Sequence, residues 1–212
     1  MKTSTLVSFL KNQNAKAPFL DKLKIVYRPY ICPFDKLLML VNDKDTVFDI
    51  GCGSGQFALL LAEFCIPKFI RGIEISPGLI ENANALLKNH NYPNHHFSVF
   101  DGSSLPDEIN TSDFIFMIDV LHHIPKYSQV DFLKKLYAKM APGSKLVLKD
   151  IDAGSLFVIF NKIHDMIFAG EIGNEFSFKQ SINKLEEIGF KICSTSKKQL
   201  FVYPHYTIIA EK

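Results

Sequence analysis

One run of nine residues constrains this chain's fold more than any other part: Val47-Phe48-Asp49-Ile50-Gly51-Cys52-Gly53-Ser54-Gly55. An apolar stretch ends in glycines at every second position, and an apolar helical pattern begins at Gln56. Glycine lets the main chain turn tightly and lets a ligand approach it. The helix start beyond the turn offers backbone N–H groups with no partner inside the helix. A dinucleotide fingerprint, G-x-G-x-x-G, would need its third glycine at position 56, where Gln56 stands. A P-loop would need Gly-Lys-Ser or Gly-Lys-Thr, which is absent. The pattern is G-x-G-x-G with an acid, Asp49, two residues before the first glycine.

From this loop onward the chain alternates. Strands are predicted at 46–50, 68–75, 97–100, 113–119 and 145–149, with helices over 56–64, 78–89 and 127–140. Asp113–Asp119 is apolar along its length, as a parallel strand covered on both faces should be. Alternation of this kind predicts an α/β fold, a mostly parallel sheet with helices on both faces. The end differs. A helix over 178–188 stops at Gly189, and strands over 190–196 and 202–211 follow, joined by a lysine-bearing turn. That hairpin predicts an antiparallel strand at the sheet's edge. Residues 151–175 are the longest piece the sheet does not need, and they read as a lid.

Charge divides the chain. Its 24 basic and 22 acidic residues sum to +2. Residues 1–44 hold eight basic and three acidic groups, so +5, leaving −3 for 45–212. The reading is an N-terminal arm, 1–44, on a domain at 45–212. Aromatics and prolines mix in Tyr27-Arg28-Pro29-Tyr30-Ile31-Cys32-Pro33-Phe34, which suits a cover over an acceptor pocket. The arm's basic surplus also suits transient contact with an anionic membrane surface. Only Arg28 and Arg71 are arginine, the usual bidentate reader of bases and phosphates. Nucleic acid is therefore disfavoured as a partner. Cys32, Cys52, Cys65 and Cys193 form neither a CxxC pair nor a metal-ligand spacing, so no metal is expected and a reducing, cytoplasmic setting fits. The opening residues lack the apolar core of a secretion signal, and no run is long enough to span a bilayer.

The loop Asp49-Ile50-Gly51-Cys52-Gly53-Ser54-Gly55 resembles the first motif, D-x-G-x-G-x-G, of the class I S-adenosylmethionine-dependent methyltransferases, and the resemblance extends over about 45–212. Glu74 stands 19 residues after Gly55, Asp101-Gly102 follows the third strand, and Asp119 ends the fourth. Ala141-Pro142-Gly143-Ser144 resembles the family's turn before strand five, with Ser144 replacing a glycine. The resemblance implies a Rossmann-like fold of seven strands in the order 3-2-1-4-5-7-6, strand 7 antiparallel. It implies S-adenosylmethionine as cofactor and S-adenosylhomocysteine as product. Its cofactor residues would be Asp49, Gly51, Cys52, Gly53, Gly55, Glu74, Ile75, Asp101, Gly102 and Asp119. Glu74 would accept from the ribose hydroxyls and Asp101 from the adenine amino group. Ligands in such sheets bind beyond the carboxyl ends of the strands, where these residues lie.

The transferred methyl carries its own leaving group, so a protein base is needed only where the acceptor must lose a proton. His122 and His123 resemble the L-H-H-hydrophobic signature of small-molecule methyltransferases, and histidine suits a base near neutral pH. His164 falls with Phe157, Phe160 and Ile167 on one face of a helical pattern within the lid. Asp150 and Asp152 end strand five at the same rim and could position a polar acceptor. The His95-His96 pair reads as a solvated loop. Strand four lacks the Asn/Asp-Pro-Pro-Tyr of amino-methylating nucleic-acid enzymes. The expected acceptor is a small, rather apolar molecule, methylated at O, N or C. Two other readings stand beside this one: a non-catalytic methyltransferase-like binding module, and a nicotinamide oxidoreductase, against which Gln56 speaks.

Overall fold

The computed structural model describes residues 2–13, 26–155, 157–159, 162, 166 and 173–212. Its seven strands are β1 (Thr46–Ile50), β2 (Phe69–Glu74), β3 (His95–Val99), β4 (Phe114–Ile118), β5 (Lys145–Ile151), β6 (Lys191–Leu200) and β7 (Tyr203–Glu211). They form one sheet in the order β3-β2-β1-β4-β5-β7-β6, as the resemblance implied. The chain groups into two compact units, Met1–Ser104 and Leu105–Lys212.

In the first unit β1, β2 and β3 are parallel neighbours, with Ile50 beside Ile73 and Glu74 beside Val99. Helix α1 spans Thr3–Lys11, α2 Phe34–Leu38, α3 Gln56–Phe64 and α4 Pro77–Asn89. Proline at the first position of α4 costs no hydrogen bond, because that N–H has no helical partner. Residues Gln56 to Ala62 of α3 are all buried, so this helix is covered all round. The arm supplies part of the cover: Phe34 stacks on Phe57 with ring centres 5.4 Å apart. Leu6, Val7 and Leu10 of α1 are buried, and Phe9 meets Phe64 and His90 edge-on at 5.4 and 5.7 Å. Helix α1 thus packs at the C-terminal ends of α3 and α4, remote from the glycine loop that opens α3.

In the second unit β4 and β5 are parallel, and β7 runs antiparallel between β5 and β6. Helices α5 (Gln129–Lys139) and α6 (Phe178–Ile188) complete it. A capping box opens α6: Ser177 Oγ accepts from Gln180 N, and Gln180 Oε1 accepts from Ser177 N.

Two sequence expectations need correction. His95 and His96 lie within β3, beside Ile70 and Arg71, not in a solvated loop. β3 is an edge strand, so polar side chains cost it little and hid its start. The hairpin turn carries no lysine: Lys197 and Lys198 pair with Tyr206 and His205 inside the ladder, and the two linking residues are Phe201 and Val202.

Candidate active site

The first unit holds a cradle at the carboxyl ends of β1, β2 and β3. After Ile50 the chain turns back on β2, and the N–H groups of Gly51 and Cys52 both donate to Ile73 O, at 2.8 and 3.1 Å. Gly53 N donates to Glu74 Oε2 at 3.2 Å, and Ser76 N to Glu74 Oε1 at 3.1 Å. Each carboxylate oxygen of Glu74 thus keeps lone-pair capacity for further donors. Gly53 has φ +53°, and a Cβ built there meets nothing within 4 Å. This is open space against bare main chain, where a ligand can sit. Gly55 is different: at φ +76° its missing Cβ would lie 2.8 Å from both Cα and Cβ of Ala83 in α4. Close packing of two helices demands this glycine.

Beside the loop, Ile75 is 69 % exposed and Val99 52 % exposed. Two apolar side chains flanking an acid suit a flat aromatic ligand with polar edges. Asp101 is exposed, and its Oδ1 accepts from Ser103 N at 2.8 Å and Ser104 N at 3.0 Å. The Ser104 and Ser103 N–H groups hold this carboxyl below its usual range.

Asp49 lies under the loop and is buried. Burial raises its pKa to about 7, against the opposing pull of the Arg28 guanidinium and with a smaller push from Glu74. The arm therefore delivers a cation to the motif acid. Burial, followed by Asp49 and Glu74, pushes the Cys52 thiol far up, so it stays neutral and is no nucleophile.

The second unit carries a separate polar cluster at the carboxyl ends of β4 and β5. Asp119 has φ +56°, a strained value for a non-glycine residue. Its N donates to Lys149 O at 2.9 Å, and Lys149 Nζ donates back to Asp119 Oδ1 at 2.5 Å. Lys149 is fully buried. No sequence argument singled it out, although a lysine between Leu148 and Asp150 in an apolar strand is itself a signal of a partnered cation.

His122 is 2 % exposed, and its Nδ1 meets Asp150 Oδ1 at 2.5 Å. His122 N and Ile151 N also donate to that carboxylate. The ring of the exposed His123 lies 4.1 Å from that of His122. The loop bearing both is fastened by Gln129, whose Nε2 reaches the carbonyls of Leu121, Ile124 and Asn174. Asn174 N in turn donates to His122 O at 2.8 Å. Gln129 too escaped sequence reasoning, since a glutamine at a helix start usually signals nothing.

Asp152 is a structural tie rather than an acceptor-binding acid. It receives N–H groups from Gly154 and Phe178 at 2.9 Å each, and Lys197 Nζ at 2.6 Å. Burial raises its pKa, but Lys197 and those N–H groups outweigh burial and hold it below the usual range. His164 lies outside the described residues, as do Leu156, Phe160 and Ile167 of the expected lid. Among the described residues no three His, Cys, Asp or Glu side chains gather as a metal site.

A family model described as a methyltransferase domain matches residues 25–195. The chain is 32% identical over 106 residues to the carboxy-S-adenosyl-L-methionine synthase of Psychrobacter arcticus, covering 49% of this chain and 40% of that protein. It is 25% identical over 114 residues to the demethylmenaquinone methyltransferase of Listeria welshimeri, covering 53% and 48%. The chain thus spans less than half the length of these curated relatives. Among solved structures it resembles the magnesium protoporphyrin IX methyltransferase of Synechocystis, which has S-adenosylhomocysteine bound, with a TM-score of 0.70 and 19% identity over 99% of this chain and 94% of that one.

Proposed function

The chain belongs to the methyltransferase-domain family, and on that premise we propose that it moves a methyl group from S-adenosylmethionine to an O, N or C atom of a small, apolar acceptor. The cradle of the first unit carries the reading. Open space at Gly53, a two-pronged acceptor at Glu74, apolar flanks at Ile75 and Val99, and an exposed acid at Asp101 fit a purine nucleoside with an amino-acid tail. The relatives that act on a quinone and on a porphyrin support an apolar acceptor.

When bound, S-adenosylmethionine supplies an electrophilic methyl on a sulfonium leaving group. Glu74 binds the ribose hydroxyls, Gly53 keeps the main chain within reach, and Asp101 fixes the base. At the ends of β4 and β5, Asp150 takes the Nδ1 proton of His122 in a hydrogen bond. That sets the tautomer and places the basic lone pair on Nε2, which accepts the proton an O–H or N–H acceptor must lose. The exposed His123 borders the acceptor. Asp119, held by Lys149, is a fixed polar edge at the same end.

Calorimetry with S-adenosylmethionine, S-adenosylhomocysteine and NAD tests this function. The first two are expected to bind and the third is not; the reverse would favour an oxidoreductase. In methyl transfer to a panel of phenol, amine and quinol acceptors, His122→Asn is expected to lower kcat about 10²- to 10⁴-fold. Asp150→Asn should follow it with KM little changed, whereas His123→Asn should chiefly raise KM. Equal loss from both histidines in KM alone would remove the base role.

Asp49 adds a pH dependence. Its folded pKa of about 7 lies above the unfolded 3.8. Between about pH 4 and 7 the folded state therefore binds more protons than the unfolded one, and the stability from this group falls as pH rises. A cationic ligand favours the ionised form. Affinity for S-adenosylmethionine is expected to rise up to tenfold per pH unit up to about pH 7 and then level off. Calorimetry in two buffers of different ionisation enthalpy should detect proton release at about pH 6. A flat profile would mean that Asp49 is already ionised before binding.

A further inference from the structure

Within the second unit the exposed large apolar side chains are unevenly placed. Among the described residues they are Tyr127, Phe157, Ile159, Met166 and Phe201. Tyr127 precedes α5 in the connection after β4. Phe157, Ile159 and Met166 ride on the connection that leaves and re-enters at the carboxyl end of β5, where Ala153 N donates to Phe176 O. Phe201 tips the β6–β7 hairpin, and this tip lies at the same end, because Ile151 pairs with His205 and Leu200 with Tyr203. No such side chain occurs on α5, on α6 or at the opposite end of the unit. Single exposed apolar residues are ordinary on a protein surface; five on one rim are not.

The tip is built against local preference. Two residues join β6 to β7, and Phe201 takes φ +52°. Glycine is the default at such a position, because a left-handed conformation strains any residue with a side chain. The chain instead puts a phenylalanine there, 72 % exposed to water. Stability and hydration both oppose that choice, so something outside the fold favours it.

Charge names the partner. From Ser194 to Tyr206 the hairpin has two lysines and no carboxylate. Lys126, Lys179, Lys197 and Lys198 are exposed at this end, with Asp131 as the exposed carboxylate among the described residues. Lys197 is joined to the buried Asp152 and so sits on a fixed mount. Apolar tips ringed by lysines match the boundary between acyl chains and anionic headgroups. We propose that this rim docks on an anionic lipid surface, and that the acceptor is drawn from it. The docking face stands on the exposure pattern; only the acceptor's origin rests on the function proposed above.

Sedimentation of the full chain with vesicles tests the face. Binding is expected to vesicles with about one phosphatidylglycerol in three lipids, to weaken with salt, and to be small on pure phosphatidylcholine. Phe201→Gly removes the ring and relieves the turn, so it should fold as well as or better than the parent. It should lose roughly tenfold in vesicle affinity. Lys198→Gln should lose about fivefold. The chain has no tryptophan, so Phe201→Trp provides a single fluorophore, whose emission should move to the blue on adding anionic vesicles. Unchanged binding by Phe201→Gly, or an unmoved Trp emission, would overturn the proposal. So would a doubled mass in solution that Phe201→Gly abolishes without vesicle binding, since the rim would then be a self-association face. Calorimetry with S-adenosylhomocysteine on the same variants keeps the two questions apart, because the cradle can fail while the rim binds, and the reverse.

Discussion

Alanine at position 55 is expected to cost the first unit about 2–5 kcal/mol, from left-handed strain and overpacking together. Gly55 sits at φ +76°, and the added methyl would lie 2.8 Å from the main chain of Ala83. A helix backbone cannot yield as a flexible side-chain end can. The loop or α4 must move, and the cradle opens with it. Thermal unfolding by circular dichroism should show a midpoint lower by about 10 °C, and S-adenosylhomocysteine should no longer bind. Gly53→Ala is the sharp contrast. Its methyl meets nothing within 4 Å, so stability should fall by only about 1 kcal/mol from the backbone strain. Ligand binding should still be lost, because the methyl occupies the open space. A Gly55→Ala protein that melts like the parent would show that the loop does not pack on α4 in this way.

Glu74→Ala is expected to weaken S-adenosylhomocysteine binding about 100-fold or more while the fold persists. Hydrogen bonds to a charged acceptor contribute about 1.5–3 kcal/mol each, and two ribose hydroxyls would lose theirs together. The side chain is only half-buried, and the two N–H groups it accepts from, on Gly53 and Ser76, can turn to water. Asp101→Ala should cost less, about tenfold, since that carboxylate is exposed and its contacts already compete with water. Parent-like affinity in Glu74→Ala would refute the cradle outright.

The contrast between these two acids and the Asp150–Asp152 pair shows what can be read along a chain. Glu74 and Asp101 were placed by counting, because a strand's end lies next to the turn that follows it. Asp150 and Asp152 are the same residue type two positions apart, and nothing local separates them. One meets His122, 28 residues away, and the other ties α6 and Lys197 together. Polar residues usually mark turns, which is why the hairpin's lysines were expected there. The ladder instead takes Lys197 and Lys198, and an apolar pair makes the turn. The N-terminal arm shows the same limit: its charge marked it out, but charge could not reveal that Phe34 stacks on Phe57 or that Arg28 opposes the burial of Asp49.

By itself the sequence determined the alternating strands and helices, the glycine turn and the acids at the strand ends. All of these are encoded by spacing within one turn or one strand. Only the tertiary structure decided which carboxylate faces which imidazole, that Lys149 is a buried partner of Asp119, and that the exposed apolar residues of the second unit share one rim. Those facts depend on register between strands some 30 residues apart, and no local pattern in the chain records that register.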